Sequence, residues 1–290
     1  SNSLPLSILP VSGKTRAALD DNLDRLIRGL RDRPHELSSV ASPLQRGRDT
    51  ISHRAAVVAE SSDDAIGGLE SRKPPRFCCR KASPSSRDVV MMFPGQGAQY
   101  VRMGQNLYDH SSVFRNNLDR CAQILQPLIG RDLREVLFPP QGDEDAAQEI
   151  LRATRFTQPA LFSLGYSIAK MWLSWGVKPT ALSGHSIGEF AAGCVASVFE
   201  LEDGLKMIAE RGRAMQELPG GSMMSVRLPG AEVEALLWGQ MSIGSYNGPS
   251  LCVVAGPDNQ VNQLREQLES RDVVCRLLHT SHAFHSPMMD

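Results

Sequence analysis

The sequence predicts an α/β protein in which a parallel-sheet core carries an inserted βαββαβ unit and follows a smaller α/β unit. The continuous apolar run Val89–Phe93 is typical of a strand buried on both faces of a parallel sheet. Strands and helices alternate after it, and residues 219–280 repeat the alternation on a smaller scale. The 290 residues, 41% of them hydrophobic, are sufficient for two or three compact units.

The first 88 residues are predicted to form the smaller α/β unit. An apolar run covers Leu4–Leu9, and Lys14–Arg33 places leucines and an isoleucine at helical spacing before Pro34, which is expected to end the helix. A second extended stretch, Arg54–Ala59, precedes a polar, glycine-containing segment. Two proline-containing stretches are interpreted as loops: 73–76 and 83–86.

Residues 89–218 are predicted to form the large subdomain. After the apolar strand, Pro94–Gly97 turns the chain, and Thr180–Leu182 makes a short strand that leads into Gly184. Two helices follow, over Ile187–Phe199 and Leu201–Met215. The last residues, 281–290, are expected to return to this subdomain.

Residues 219–280 are predicted to form an inserted, ferredoxin-like subdomain. Their expected order is strand, helix, two strands around Asn247–Pro249, helix and strand, which is the βαββαβ order of that unit. The first strand is expected at Ser222–Val226, the helices at Ala231–Leu237 and Asp258–Glu269, and the last strand at Val273–Leu278.

Composition and charge exclude several functions. A formal net charge of -1 argues against a nucleic-acid binder, which needs clustered lysine and arginine. The apolar runs are too short to span a bilayer, so no membrane is expected as a partner. Six cysteines without paired spacing indicate reduced thiols and no metal site, so we expect a cytoplasmic protein that is not exported.

The pentapeptide Gly184–Gly188, GHSIG, fits the G-x-S-x-G pattern of a nucleophile elbow. Its glycines allow a tight strand-to-helix turn that exposes the hydroxyl of Ser186 and aims the N-terminus of the following helix at the reacting carbonyl. The predicted strand before it and helix after it supply the required context. Ser186 is therefore the predicted nucleophile, and the adjacent His185 is expected to pack or hydrogen bond.

A nucleophilic serine needs a base, and three histidines crowd into one short segment. His279, His282 and His285 lie where the chain returns to the core after the inserted unit. The residues themselves leave open which of the three meets Ser186.

Five motifs occur together and in register along the chain. They are FPGQGAQ at 93–99, TQPALF at 157–162, GHSIG at 184–188, ERGR at 210–213 and HAFH at 282–285. In this order they closely resemble the acyltransferase domains of modular type I polyketide synthases and the related malonyl-CoA:acyl-carrier-protein transacylases. Residues 1–88 are similar to the linker between ketosynthase and acyltransferase, notably at Leu44–Arg48 and Ala55–Ala59. The resemblance implies a hydrolase-like parallel-sheet core for 89–218.

The resemblance assigns a role to several side chains. The last histidine of HAFH is the base in this family, which matches His285, and His282 would be a pocket residue. The arginine of the Arg-Gly pair holds the free carboxylate of the malonyl group, which matches Arg211. Its planar fork suits a bidentate carboxylate contact that lysine cannot reproduce. Arg213 is expected to remain a surface residue.

The remaining implied roles concern the transition state and the acyl pocket. Gln96 and Ile187 match the residues whose backbone N–H groups form the oxyanion hole. Gln158 is expected to line the pocket. Phe284 matches the malonyl-selective form HAFH, whereas methylmalonyl-selective members tend to have Tyr-Ala-Ser-His. Ile187 and residues 155–158 also resemble the malonyl type. One methyl group is worth about 1–3 kcal/mol of discrimination, so this selectivity is a preference.

The resemblance implies an enzyme that moves malonyl from malonyl-CoA to the phosphopantetheine thiol of an acyl carrier protein, in polyketide biosynthesis. Its partners would be that carrier protein and the ketosynthase of the same polypeptide, and it would need no bound cofactor. Two alternatives stay open: a serine acyl hydrolase, and a non-enzymatic scaffold that docks on a ketosynthase. Family members continue beyond the position of Asp290, with a backbone carbonyl that orients the base, so we expect a cut domain or part of a longer molecule.

Overall fold

The structure is a computed structural model that describes residues 6–32, 36–49, 51–82, 88–278 and 280–290. The chain divides into two compact units, Ser1–Asp88 and Val89–Asp290. Within the described ranges, no helix combines the length and apolarity needed to cross a membrane. The mixed α/β class predicted from the sequence is confirmed, with a small sheet in the N-terminal unit.

The N-terminal unit is a three-stranded antiparallel sheet in the order β1-β2-β3, with helices packed on it. Helix α1 begins at Arg16, after Thr15, whose Oγ1 accepts a hydrogen bond from Ala18 N at 3.1 Å. Its apolar side chains fall on one face, where Leu19, Leu23, Ile27 and Leu30 are buried. The elements are β1 (Ser7–Gly13), α1 (Arg16–Asp32), α2 (Leu37–Arg46), β2 (His53–Ala59), α3 (Ser62–Ser71) and β3 (Phe77–Lys81).

Three elements of this unit lie where no strand or helix was predicted. Helix α2 follows the first helix, and α3 occupies the polar, glycine-containing segment. Ser61 caps α3 by accepting a hydrogen bond from Asp64 N, and Gly68 lets the helix approach β2, because a Cβ there would lie 2.6 Å from Val57 Cγ2. Strand β3 directly follows the first predicted loop. Pro34 and the loop predicted at 83–86 lie outside the described residues.

The larger part of the second unit is a helical layer on two parallel strands. Strand β4 pairs with β5 from Val90↔Ala181 to Phe93↔Gly184. The core between the helices contains fully buried Phe114, Leu118 and Phe162. The elements are β4 (Val90–Phe93), α4 (Gln105–His110), α5 (Ser112–Ile129), α6 (Leu133–Leu137), α7 (Glu144–Arg152), α8 (Thr154–Ser174), β5 (Ala181–Gly184), α9 (Gly188–Val195) and α10 (Leu201–Glu217).

The prediction that the first strand is buried on both faces is wrong in this structure. Val90 is 54% exposed and Met92 81% exposed, whereas Phe93 is buried at 6%. Phe93 packs closely on α8, since a Cβ at Gly165 would lie 3.1 Å from Phe93 Cδ1. The face that carries Val90 and Met92 stays open among the described residues and borders an apolar groove of about 440 Å³.

The inserted segment forms a four-stranded antiparallel sheet in the order β7-β8-β6-β9. Its elements follow the predicted βαββαβ order, and one face of the sheet packs on the second helix through Met224, Val254 and Leu264. They are β6 (Ser222–Val226), α11 (Gly230–Glu234), β7 (Ser242–Gly248), β8 (Leu251–Gly256), α12 (Asp258–Glu269) and β9 (Cys275–Leu277). A short 3-10 turn, Pro287–Met289, ends the described chain.

Candidate active site

Ser186 lies in the turn between β5 and α9, and its backbone φ is +52°. Both flanking glycines are required by close approach. A Cβ at Gly184 would lie 2.1 Å from Glu189 N, and one at Gly188 would lie 2.3 Å from Phe93 O. Left-handed backbone at a serine costs free energy and persists only where the surroundings hold it. The turn is therefore the strained elbow that the pentapeptide predicts.

Gly188→Ala is expected to lower the free energy of unfolding by about 1–3 kcal/mol, because the new methyl group collides with backbone that has no rotamer to change. Gly220→Ala is the matched control in the same unit, since its Cβ would make an ordinary 3.5 Å contact with Ser281 O. Urea denaturation of both variants measures the difference. Equal midpoints would show that the elbow tolerates a side chain.

The side chain that meets the nucleophile is His285. Its Nε2 lies 2.8 Å from Ser186 Oγ, across 99 residues of sequence. The backbone of His285 is also left-handed, with φ +59°. The ring is partly open to solvent, yet burial lowers its pKa below the ordinary 6.5, and the nearby charges of Arg211 and His185 lower it further. A neutral imidazole next to the hydroxyl is suited to act as a general base.

The other histidines have different surroundings. His282 is buried at 4% exposure; its Nε2 lies 3.1 Å from Leu218 O and its Nδ1 lies 2.7 Å from Ser281 Oγ. These contacts hold the HAFH segment against the end of α10. His185 is exposed, and its ring packs against the turn after β4, where a Cβ at Gly95 would lie 2.5 Å from its Nδ1. His279 lies outside the described residues.

The lowered pKa of His285 predicts how the reactivity of Ser186 depends on pH. Because burial and positive neighbours favour the neutral ring, the base form persists as the pH falls below 6.5, and reactivity is lost only at lower pH. Arg211→Ala removes one of those charges and is expected to move the midpoint upward. The rate of inactivation by phenylmethylsulfonyl fluoride against pH measures both midpoints, and a wild-type midpoint above 6.5 would contradict the assignment.

Arg211 is a half-buried arginine that makes no ion pair in the described part of the chain. Its Nη1 donates to Gln158 Oε1 at 2.6 Å, and its guanidinium carbon lies 5.7 Å from the centre of the Phe190 ring. Burial lowers its pKa below the ordinary value of an arginine, and no described carboxylate offsets that effect. Arg213, two residues on, is 54% exposed and pairs with Glu210 and Glu217. Among the described residues, the charge of Arg211 therefore has no counter-ion, and it is suited to bind an anionic group of a ligand.

The position of Arg211 depends on how closely α10 packs on α8. A Cβ at Gly212 would lie 3.1 Å from both Arg155 Cα and Thr154 O, so a side chain there would press on the backbone of α8. The contact places Arg211 beside Gln158, which is fully buried and whose Nε2 donates to Met215 Sδ at 3.2 Å.

Sequence reasoning missed Phe190 and Met215. A signal was present for Met215, which lies four residues after Arg211 in α10, a spacing that places both side chains on one face of the helix. No such spacing marks Phe190, because Ser186 precedes α9 and has left-handed backbone. Each residue contacts a group to which a role had been assigned.

The backbone amides of Gln96 and Ile187 lie at the two turns that meet here. Neither N–H donates to an acceptor in the described residues. Ile187 is buried at 1% exposure directly before α9, and the Gln96 side chain donates to Thr154 Oγ1 at 3.2 Å. Both amides therefore lack an acceptor among the described residues.

Phe284 is buried at 6% exposure in a small cluster of its own. It packs with Met223, Val253 and Ala255 of the inserted sheet, and its ring centre lies 5.9 Å from that of His282. Among the described residues, no group of three or more histidine, cysteine, aspartate and glutamate side chains could hold a metal ion.

Two family models match the chain. Residues 90–290 match the acyl transferase domain, and residues 7–69 match the model described as CurL-like, PKS C-terminal. The curated relatives are much longer than this chain. It is 36% identical over 99% of its length to polyketide synthase GfsB of Streptomyces halstedii, and 36% identical over 97% to mycoketide-CoA synthase of Mycobacterium tuberculosis. These alignments cover only 5% and 7% of the two relatives.

Solved structures agree along the whole chain. The acyl transferase domain of ZmaA matches with a TM-score of 0.89 at 34% identity, over 100% of this chain and 67% of that one. The acyl transferase domain of SpnD matches with a TM-score of 0.85 at 35% identity, over 100% and 68%. The chain therefore belongs to the acyltransferase domains of modular type I polyketide synthases, and it includes the linker region that precedes the acyltransferase.

Proposed function

We propose that this domain transfers malonyl from malonyl-CoA to the phosphopantetheine thiol of an acyl carrier protein through an acyl-enzyme on Ser186. The observation that carries the proposal is Arg211, a half-buried guanidinium that lacks a carboxylate partner among the described residues. It lies close enough to the Ser186–His285 pair for its charge to lower the pKa of His285. A malonyl thioester has the two groups that this site matches: a thioester for the serine and a free carboxylate for the arginine.

In the first half-reaction, His285 Nε2 takes the Ser186 proton while Oγ forms a bond to the thioester carbonyl carbon. The amides of Gln96 and Ile187 are proposed to donate to the oxyanion. The C–S bond then breaks, and the proton passes from His285 to the sulfur of coenzyme A, which leaves. The second half-reaction reverses these roles. His285 takes the proton of the phosphopantetheine thiol, and the sulfur forms a bond to the carbonyl carbon of the malonyl-serine ester. The bond from that carbon to Ser186 Oγ then breaks, and Oγ takes the proton from His285.

The malonyl preference is proposed to depend on Phe284. Its ring is held between the inserted sheet and His282, so it cannot move aside for an α-methyl group without disturbing that cluster. The SpnD domain, a relative at 35% identity, is in complex with 2-(pent-4-yn-1-yl)malonyl, which supports a malonyl-type carboxylate as the group recognised here. We assign no bound cofactor and no metal ion to this chemistry.

The proposed division of the chain supports the same function. Residues 1–88 are proposed as the ketosynthase-to-acyltransferase linker, 89–218 with 281–290 as the hydrolase-like subdomain, and 219–280 as the ferredoxin-like subdomain. The partners would be a carrier protein and the ketosynthase of the same polypeptide. A linker and an acyltransferase in one chain fit that arrangement.

An acyl-CoA panel tests the proposal. The protein is incubated in turn with malonyl-, methylmalonyl- and acetyl-CoA, and the acyl adduct is located on Ser186 by mass spectrometry. We expect malonyl to be loaded fastest and then to pass to an added phosphopantetheinylated carrier protein. A malonyl-serine that is lost to water as fast as it is lost to the carrier would instead indicate a hydrolase. Binding of ketosynthase without any serine adduct would indicate a scaffold.

A further inference from the structure

The turn that carries His285 lies against an irregularity in β7. Ile243 and Ser245 pair with Val254 and Val253, which are adjacent in β8, so Gly244 is an extra residue in the strand. This is a β-bulge, a device that bends a strand and often lies next to an active site. The bulge defined by residues 242–245 is thus placed where it can act on the base.

Two contacts join this bulge to the turn. Ser242 Oγ donates to the backbone oxygen of His285 at 2.8 Å. A Cβ at Gly244 would lie 3.3 Å from the backbone oxygen of Phe284, so the glycine permits an approach that a side chain would resist. Two consecutive carbonyls of the turn therefore face the bulge.

The backbone of His285 requires support of this kind. Its φ of +59° is a conformation that non-glycine residues keep only where the surroundings hold it. Ser286 stabilises the turn from inside by donating from Oγ to Ala283 O at 2.6 Å. No hydrogen bond reaches Nδ1 of His285 from the described residues, so within them the ring is placed by its own backbone and by Ser186.

We propose that Ser242 is a positioning residue for the base, and that its hydroxyl holds the His285 backbone so that Nε2 stays within hydrogen-bond reach of Ser186. The inserted sheet thereby contributes to the activation of a nucleophile that lies outside it. The inference rests on the proposed roles of Ser186 and His285 and does not depend on which acyl group is transferred.

Inactivation by phenylmethylsulfonyl fluoride tests this inference independently of the acyl substrate. Ser186 Oγ bonds to the sulfonyl sulfur, fluoride leaves and His285 takes the proton, so the rate reports how well the base is placed. Ser242→Ala is expected to react about 10-fold more slowly, in keeping with the sensitivity of catalysis to small misplacements. Ser242→Thr keeps the hydroxyl and is expected to retain the rate.

Ser222→Ala is the matched control, because this serine of the same sheet lies outside the bulge and bonds to Asp258 Oδ1 at 2.5 Å and not to the base turn. It should react at the wild-type rate. Gly244→Ala adds a methyl group that would crowd the backbone oxygen of Phe284, and it is expected to slow inactivation as well. Thermal melts of all variants separate a loss of reactivity from a loss of folded protein.

Two results would overturn the inference. One is a Ser242→Ala variant, folded by its melting curve, that reacts as fast as wild type. The other is a wild-type Ser186 that reacts no faster than in His285→Ala, since there would then be no placed base to support. A wild-type protein that reacts with the sulfonyl fluoride but is not labelled by malonyl-CoA would defeat the proposed function alone.

Discussion

Ser186→Ala is expected to abolish acyl loading from malonyl-CoA, with a rate loss on the order of 10⁶ when the nucleophile is removed. The physical reason is that, among the described residues, Ser186 carries the one hydroxyl that hydrogen bonds to His285 Nε2. Because the alanine side chain is smaller than that of serine, the substitution adds no steric conflict in the elbow. Intact-protein mass spectrometry after incubation with malonyl-CoA should therefore show unmodified protein.

A serine outside the elbow provides the control for this experiment. Ser222 is on the inserted sheet, and its hydroxyl bonds to Asp258 Oδ1 at 2.5 Å, so Ser222→Ala should load malonyl as wild type does. An adduct of equal size on the Ser186→Ala protein would mean that the acyl group resides elsewhere, and the acyl-enzyme proposal would fail.

Arg211→Ala is expected to shift loading from malonyl toward acetyl by between about 10-fold and 100-fold. A hydrogen bond to a charged group contributes about 1.5–3 kcal/mol, and the malonyl carboxylate would lose a bidentate partner in a half-buried position. Acetyl has no free carboxylate, so we expect its loading not to depend on Arg211. Competition between malonyl-CoA and acetyl-CoA, read as the ratio of the two adducts, measures the shift.

Two further variants separate charge from geometry in that experiment. Arg213→Ala removes an arginine of the same helix whose charge is already paired with two glutamates, so its adduct ratio should match wild type. Arg211→Lys keeps a charge but not the planar fork, and its adduct ratio should fall between those of wild type and Arg211→Ala.

The removal of Arg211 also deprives buried Gln158 of a hydrogen-bond donor, so melting curves must show that the variant is folded. An unchanged adduct ratio in folded Arg211→Ala would refute the assigned role.

Some elements could be predicted because a short run of neighbouring residues specifies them. The strand Ser222–Val226 and the helix Asp258–Glu269 have the predicted bounds. The strand follows two glycines, and the helix follows a Gly-Pro pair and has its buried residues at helical spacing. The elbow followed from two glycines around a serine. The class and the family, which the five motifs in their order predicted, are confirmed by the match to the acyl transferase domain and by the solved structures.

Features that depend on contacts between distant segments were missed or wrong. Helix α3 contains two adjacent glycines that lower its intrinsic propensity, and it is stabilised by packing of Gly68 against Val57. The apolar composition of β4 predicted burial on both faces, but only neighbours in space decide which faces are covered. The Gln158–Met215 and Ser242–His285 hydrogen bonds cross 57 and 43 residues, and no sequence period reports them.

The packing of Gly212 against α8 has a consequence for engineering the domain. The arginine proposed to bind the acid group is set by two long helices, whereas Phe284, proposed to sense the α-substituent, belongs to a short turn that rests on the inserted sheet. In the proposed function, recognition of the acid group and selection of the α-substituent therefore depend on different parts of the fold. Exchange of residues 282–285 for another family sequence should retune the branch and leave the requirement for a dicarboxylic acyl group intact. A donor sequence for such a swap must also suit the bulge beneath it.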